Sequence, residues 1–155
     1  MSLKVVAFGG GHGLAASLSA LRRVTPDVTA IVTVADDGGS SGRLRQEFGM
    51  LPPGDLRMAL AALCGDDDWG TTWARVVQHR FGGTGDLAGH AVGNLLIAGL
   101  WDLLGDPVAG LHRAADHPCG GPRGADCGTD RRSGAGVAGT RRGHPPRGRP
   151  LAQVF

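Results

Sequence analysis

The first residues able to do chemistry are Gly9, Gly10, Gly11, His12 and Gly13, which directly follow an apolar run. Glycines there let the backbone turn tightly and approach a phosphate without a Cβ in the way. A helix starting behind them adds unpaired N–H groups and partial positive charge that favour an anion. The order is neither G-x-G-x-x-G nor a P-loop, since Leu14 and Ala15 stand where a P-loop needs Lys and Ser or Thr. The loop is therefore read as an anion site, against the plainer reading of a tight turn. A second polar stretch runs Ala35, Asp36, Asp37, Gly38, Gly39, Ser40, Ser41, Gly42, Arg43, Leu44 and Arg45. Asp36 and Asp37 are candidates to bind Mg²⁺, directly or through water, or to accept from a ribose or substrate hydroxyl. Ser40, Ser41 and the amides of Gly38 and Gly39 can hold phosphate oxygens, which Arg43 can neutralise. The alternative is an Asp-Gly-Gly turn with a serine capping a short helix from Arg43.

Two more positions carry candidate chemistry. Asp55 follows Pro52, Pro53 and Gly54, where it is either a ligand-facing acid or a helix N-cap. His90 and Asn94 are four apart and share one helix face. His90 can donate to a phosphate or act as a general acid or base, and with Asp37 and Asp55 it makes up the catalytic candidates. Alternatively, His90 and Asn94 satisfy backbone groups at a buried helix start.

Elements to position these residues are legible around them. Residues 3–8 read as a buried strand that stops at the glycines, and 14–23 place Leu14, Leu18 and Leu21 at helical spacing. Pro26 and Asp27 break that helix. Residues 28–34 then read as a second strand, apolar enough to be covered on both faces. Strand, glycine loop, helix and strand make a βαβ unit, and ligands in parallel sheets bind beyond the carboxyl ends of the strands. Further helices are expected over 56–64, about 69–81 and 90–104. The predicted fold is α/β: a Rossmann-like parallel sheet with flanking helices, incomplete.

Charge divides the chain. Residues 1–111 carry eight Lys/Arg against eleven Asp/Glu, net −3, and 112–155 carry eight Arg against three Asp, net +5. The second stretch has nine Gly, five Pro and only four residues from Leu, Ile, Val and Phe, too little apolar surface to offset the entropy of ordering it. It reads as a disordered basic tail or as a GC-rich gene translated out of frame, with the break at Leu111. Specific nucleic-acid binding is not expected, because no aromatic residue precedes Phe155 there to stack on a base. No apolar run reaches the roughly 18 residues of a membrane span. Three cysteines without a metal-pair spacing argue against a secreted disulfide scaffold or zinc ribbon. The chemistry expected is that of a cytoplasmic protein, able to self-associate if its sheet is left with an open edge.

GGGHG at 9–13, VTVADDGGSSGRLR at 32–45, LPPGDLR at 51–57 and GHAVGNLL at 89–96, in that order, resemble the YvcK/CofD-like family, on its gluconeogenesis-factor (YvcK) branch. The resemblance covers about residues 3–111. It implies a nucleotide-binding domain whose phosphate loop is Gly9–Gly13. Asp36 and Asp37 fall at the acidic pair used for acceptor or metal, and Asp55 at the acid opening the next helix. It further implies a regulator of carbon metabolism and cell-wall or cell-shape control that binds a nucleotide sugar such as UDP-N-acetylglucosamine. A CofD-like phospholactyl transferase acting on a deazaflavin acceptor with Mg²⁺ is the alternative, and an inert truncated fragment the third reading. Two departures stand out: His12 replaces the family's usual Thr, and nothing after Leu111 resembles the longer family members.

Overall fold

A computed structural model describes residues 3–115 in full and 151–154 as backbone. Lys4–Gly9 forms β1, Gly11–Leu21 α1 and Asp27–Val32 β2. Helices α2 (Gly39–Phe48), α3 (Gly54–Leu63), α4 (Asp68–Gln78), α5 (Val92–Leu104) and α6 (Pro107–Ala114) follow, then β3 (Leu151–Val154). The sheet order is β1-β2-β3, all parallel, with Lys4 opposite Asp27, Gly9 opposite Val32 and Thr29 opposite Leu151. The expected α/β architecture and its βαβ unit are present.

Alternation decides which face of the sheet is covered. Val28, Ala30 and Val32 are buried along β2 with Ala7 beside them on β1, and the two alanines leave room for helices to approach closely. Leu14 and Leu18 of α1, Leu56, Ala59 and Leu60 of α3, Ile97 and Trp101 of α5 and Leu111 and Ala114 of α6 complete that core. The other face is not covered as expected: Val6 is 65% exposed and Phe8 75%. Among the described residues a single helical layer packs on the strands, and β2 alternates instead of being buried on both sides.

Thr25 closes the sheet's amino end, its hydroxyl donating to Leu3 O and accepting from Asp27 N–H. Both strand ends and helix starts shift from the sequence reading. β2 stops at Val32, although Thr33 N–H still donates to Gly9 O at 2.8 Å. Helix α1 starts at Gly11 instead of Leu14, and α2 starts at Gly39 instead of Arg43. The break expected at Leu111 falls within α6, which runs to Ala114. Its N-cap Asp106 accepts from Val108 N–H, and the Trp101 indole donates to Pro107 O at 2.8 Å. Most of the predicted tail, 116–150, lies outside the described residues. Its strand at 151–154 has no periodic signal in sequence.

Candidate functional site

The glycine loop is a strand end running straight into a helix. Gly9 closes β1, Gly10 caps α1, and Gly11 opens it with a φ of 58°, which a side chain rarely tolerates. The amides of Gly11, His12 and Gly13 precede the helix's first internal bond, from Leu14 N–H to Gly10 O, so the helix itself offers them no acceptor. Gly11 N–H is taken by Asp55 Oδ1 at 3.1 Å. Asp55 is therefore not the cap of its own helix: it lies in the first turn of α3 and reaches across to the start of α1. Gly10 is wedged between Thr33 and Asp55, since a Cβ there would lie 2.2 Å from Thr33 Oγ1 and 2.8 Å from Asp55 Oδ2. His12 stands exposed on the first turn of α1.

The two acids of the doublet part company. Asp36 Oδ1 accepts from Gly38 N–H at 2.9 Å, and its Oδ2 lies against Gly54, where a Cβ would come within 1.8 Å of it. Asp36 thus bridges the amino ends of α2 and α3, where helix partial charge favours a carboxylate. Asp37 is 74% exposed on its side chain and pairs with Arg45. Asp36 and Asp37 thus face different partners. Among the described residues no group of three or more His, Cys, Asp or Glu is arranged to hold a metal.

The serines turn inward. Ser40 and Ser41 are 2% and 1% exposed, so of these two residues it is the backbone that lies at the start of α2. The amides of Gly39 and Ser40 precede that helix's first internal bonds, from Ser41 and Gly42 N–H to Gly38 O. Behind them is a closed polar network. Asn94 Nδ2 donates to Ser40 Oγ at 3.0 Å and Ser41 Oγ at 3.2 Å, while Asn94 Oδ1 accepts from Arg57 Nε at 3.0 Å. Ser40 Oγ also accepts from Ala91 N–H at 3.3 Å and lies 3.0 Å from His90 Nδ1. With two donors already aimed at its oxygen, the Ser40 proton goes to His90 Nδ1, leaving a neutral imidazole protonated on Nε2. Burial, first, and the positive charges of Arg43 and Arg80 hold that imidazole below the usual histidine range, with Glu47 opposing.

Four sequence candidates therefore stand behind the crevice instead of in it: Ser40 and Ser41 by their side chains, and His90 and Asn94, which are 5% and 1% exposed. Arg43 also has other work, its guanidinium donating to Asp86 O and Ala88 O. It pins the loop before α5.

Arg57 is the residue that sequence reasoning left out of the site. It is buried, bonded to Asn94, and attracted by Asp36 and Asp55, while desolvation and Arg80 lower its pKa. Its signal was two positions from Asp55: on a helix entering the protein, a cation just behind an acid must find an anion or desolvate. Arg57 supplies positive charge near the two carboxylates at these helix ends. The assembled feature, the crevice, is the meeting point of the amino ends of α1, α2 and α3 beside Asp36 and Asp55, at the carboxyl ends of β1 and β2.

The sequence matches the family described as "2-phospho-L-lactate transferase CofD" over residues 5–117. A Mycobacterium leprae relative is 69% identical over 107 residues, which cover 69% of this chain and 30% of that protein. The gluconeogenesis factor of Bacillus subtilis is 50% identical over 103 residues, covering 66% of this chain and 32% of its own. A crystal structure of a Bacillus halodurans protein superposes with a TM-score of 0.70 at 44% identity, covering 76% of this chain and 37% of that one. The chain thus spans about a third of the length of the relatives it matches. Among the described residues no helix is long and apolar enough to cross a membrane.

Proposed function

The chain belongs to the CofD family, and from that premise we propose that it forms the nucleotide-binding part of a regulatory protein of the gluconeogenesis-factor type. Its ligand in this reading is a nucleotide sugar such as UDP-N-acetylglucosamine, sensed in the cytoplasm and relayed to carbon metabolism and cell-wall or cell-shape control. The observation that carries it is the convergence of three helix amino ends beside Asp36 and Asp55 at the strand ends. Helix amino ends receive phosphate oxygens, and nearby carboxylates accept from sugar hydroxyls.

The proposal also carries a polarity. Asp55 already takes the Gly11 amide and brings negative charge to the start of α1. The diphosphate is accordingly expected toward Gly38, Gly39 and the Ser40 amide of α2, and hydroxyls toward Asp36 and Asp55. Calorimetric titration of the full chain with UDP-N-acetylglucosamine tests this. Saturable binding that weakens in Gly39→Pro and in Asp55→Ala is expected. No heat at millimolar ligand, in a chain shown to be folded, would end the reading.

The family's description favours a second reading, a transferase that moves a phospholactyl group onto a deazaflavin hydroxyl. Turnover of such an acceptor with a nucleotide-activated lactate, lost in Asp37→Ala, would favour it over the regulator. A chain that folds yet neither binds nor turns over would match the inert-fragment reading.

A further inference from the structure

The crevice is held from behind by one imidazole. Ser40 Oγ receives the Asn94 amide and the Ala91 N–H, so its own proton has His90 Nδ1, at 3.0 Å, as acceptor. That bond joins the first turn of α2 to the residue before the N-cap of α5, and Asn94 extends the link to Ser41 and through Arg57 to α3. Neutral His90 completes the chain of donors and acceptors. A proton added at Nδ1 puts N–H and O–H face to face. Ser40 must then turn its hydrogen away while its oxygen takes a third donor, inside a region sealed from water.

We propose that His90 is a positioning residue through which acid loosens the first turn of α2, making ligand capture by the crevice depend on pH. The proposal rests on the reading of that crevice as a diphosphate site. The charged groups around His90 act in one direction overall. Arg43 and Arg80 oppose its protonation, Glu47 favours it, and burial opposes it most. The folded protein thus takes up the proton less readily than the unfolded chain. This penalty is absent above the unfolded value of about 6.5, grows as pH falls below it, and levels off below the folded value.

Two measurements on the full chain decide it. Without ligand, amide hydrogen-exchange protection at Ser41 and Gly42, whose N–H groups bond Gly38 O, is followed from pH 7.5 to 5 alongside the His90 ring signal. Protection should fall at least several-fold as His90 titrates and stay flat in His90→Gln, whose amide oxygen can accept from Ser40 but cannot titrate. Unchanged protection across the His90 titration would overturn the proposal whether or not any ligand binds. In the second measurement UDP-N-acetylglucosamine, whose phosphates do not titrate in this range, is bound at each pH. Affinity should fall with acid in wild type, by up to tenfold per pH unit for one linked proton, and remain level in His90→Gln. Saturable binding with no such slope in wild type sinks the latch and leaves the site standing. Absence of binding at neutral pH sinks the site, while the exchange experiment still judges the latch.

Discussion

Replacing Asn94 tests the polar network behind the crevice most directly. Asn94 is 1% exposed and makes three hydrogen bonds, two donated to Ser40 and Ser41 and one accepted from the Arg57 guanidinium. In Asn94→Ala each lost neutral bond costs about 1 kcal/mol, and the charge-assisted one about 1.5–3. Arg57 Nε is left buried without its acceptor, so the upper half of that range applies. The sum is about 4–5 kcal/mol, a large part of the 5–15 kcal/mol that typically separates folded from unfolded domains. With a urea slope of about 2 kcal/mol/M, the unfolding midpoint should drop by about 2 M. Trp101, buried in the core, reports the transition by fluorescence. Asn94→Asp is the informative control: its carboxylate keeps the bond from Arg57 and can accept from a reoriented Ser41 hydroxyl, so it should fall between wild type and alanine. A loss under 1 kcal/mol in Asn94→Ala, or Asp no better than Ala, would refute the assignment of Arg57 and Ser41 as the partners that matter.

Three further substitutions probe the elements that carry the site. Gly10→Ala forces a Cβ to within 2.2 Å of Thr33 Oγ1 and 2.8 Å of Asp55 Oδ2, so Asp55 must move and release Gly11. About 1–3 kcal/mol of stability should be lost in thermal or urea unfolding, and ligand affinity should fall with it; a neutral result would mean that the close approach does not matter. Asp67→Ala removes the N-cap of α4, whose side chain accepts from Gly70 N–H at 2.6 Å, and should cost about 1 kcal/mol, whereas Asp67→Ser should recover most of it. Arg43→Ala frees Asp86 O and Ala88 O. Proteolysis between residues 82 and 89 should accelerate with only a small change in the unfolding midpoint, and equal protection of that loop would show that Arg43 does not pin it.

What could be read from the sequence was whatever depends on neighbours along the chain. Short apolar runs placed β1 and β2, and period-3.6 apolar patterns or turn signals placed α1, α3, α4 and α5, because these depend on residues close along the chain. The glycine loop and the acidic doublet were found for the same reason: both sit where strands end. The misreadings have a common physical origin. Gly38, Gly39 and Gly42 look like loop, yet α2 runs through two of them: helix starts tolerate glycine, and a Cβ at Gly42 would lie 2.5 Å from Asp37 O. The same error delayed α1 by three residues.

Direction is what residue type could not reveal. Ser40, Ser41, His90 and Asn94 have the chemistry to touch a phosphate, and His90 and Asn94 equally that to satisfy a buried helix start. Their separation of about fifty residues along the chain is closed only by packing α5 against α2, which turns all four side chains on each other. Conversely Asp55, with an ordinary capping role on local grounds, is carried 44 residues away from its place in the chain to the Gly11 amide. A polar residue's type limits what it can do; the partner brought to it by the fold decides whether it faces ligand or holds the wall. In this chain the wall is the costlier part, since a buried donor cannot fall back on water when its partner is removed. The crevice's amides gain their fixed geometry from side chains that do not line it. A search for function confined to the exposed rim would therefore pass over Arg57 and Asn94, whose loss is expected to disturb the site more than that of exposed Asp37.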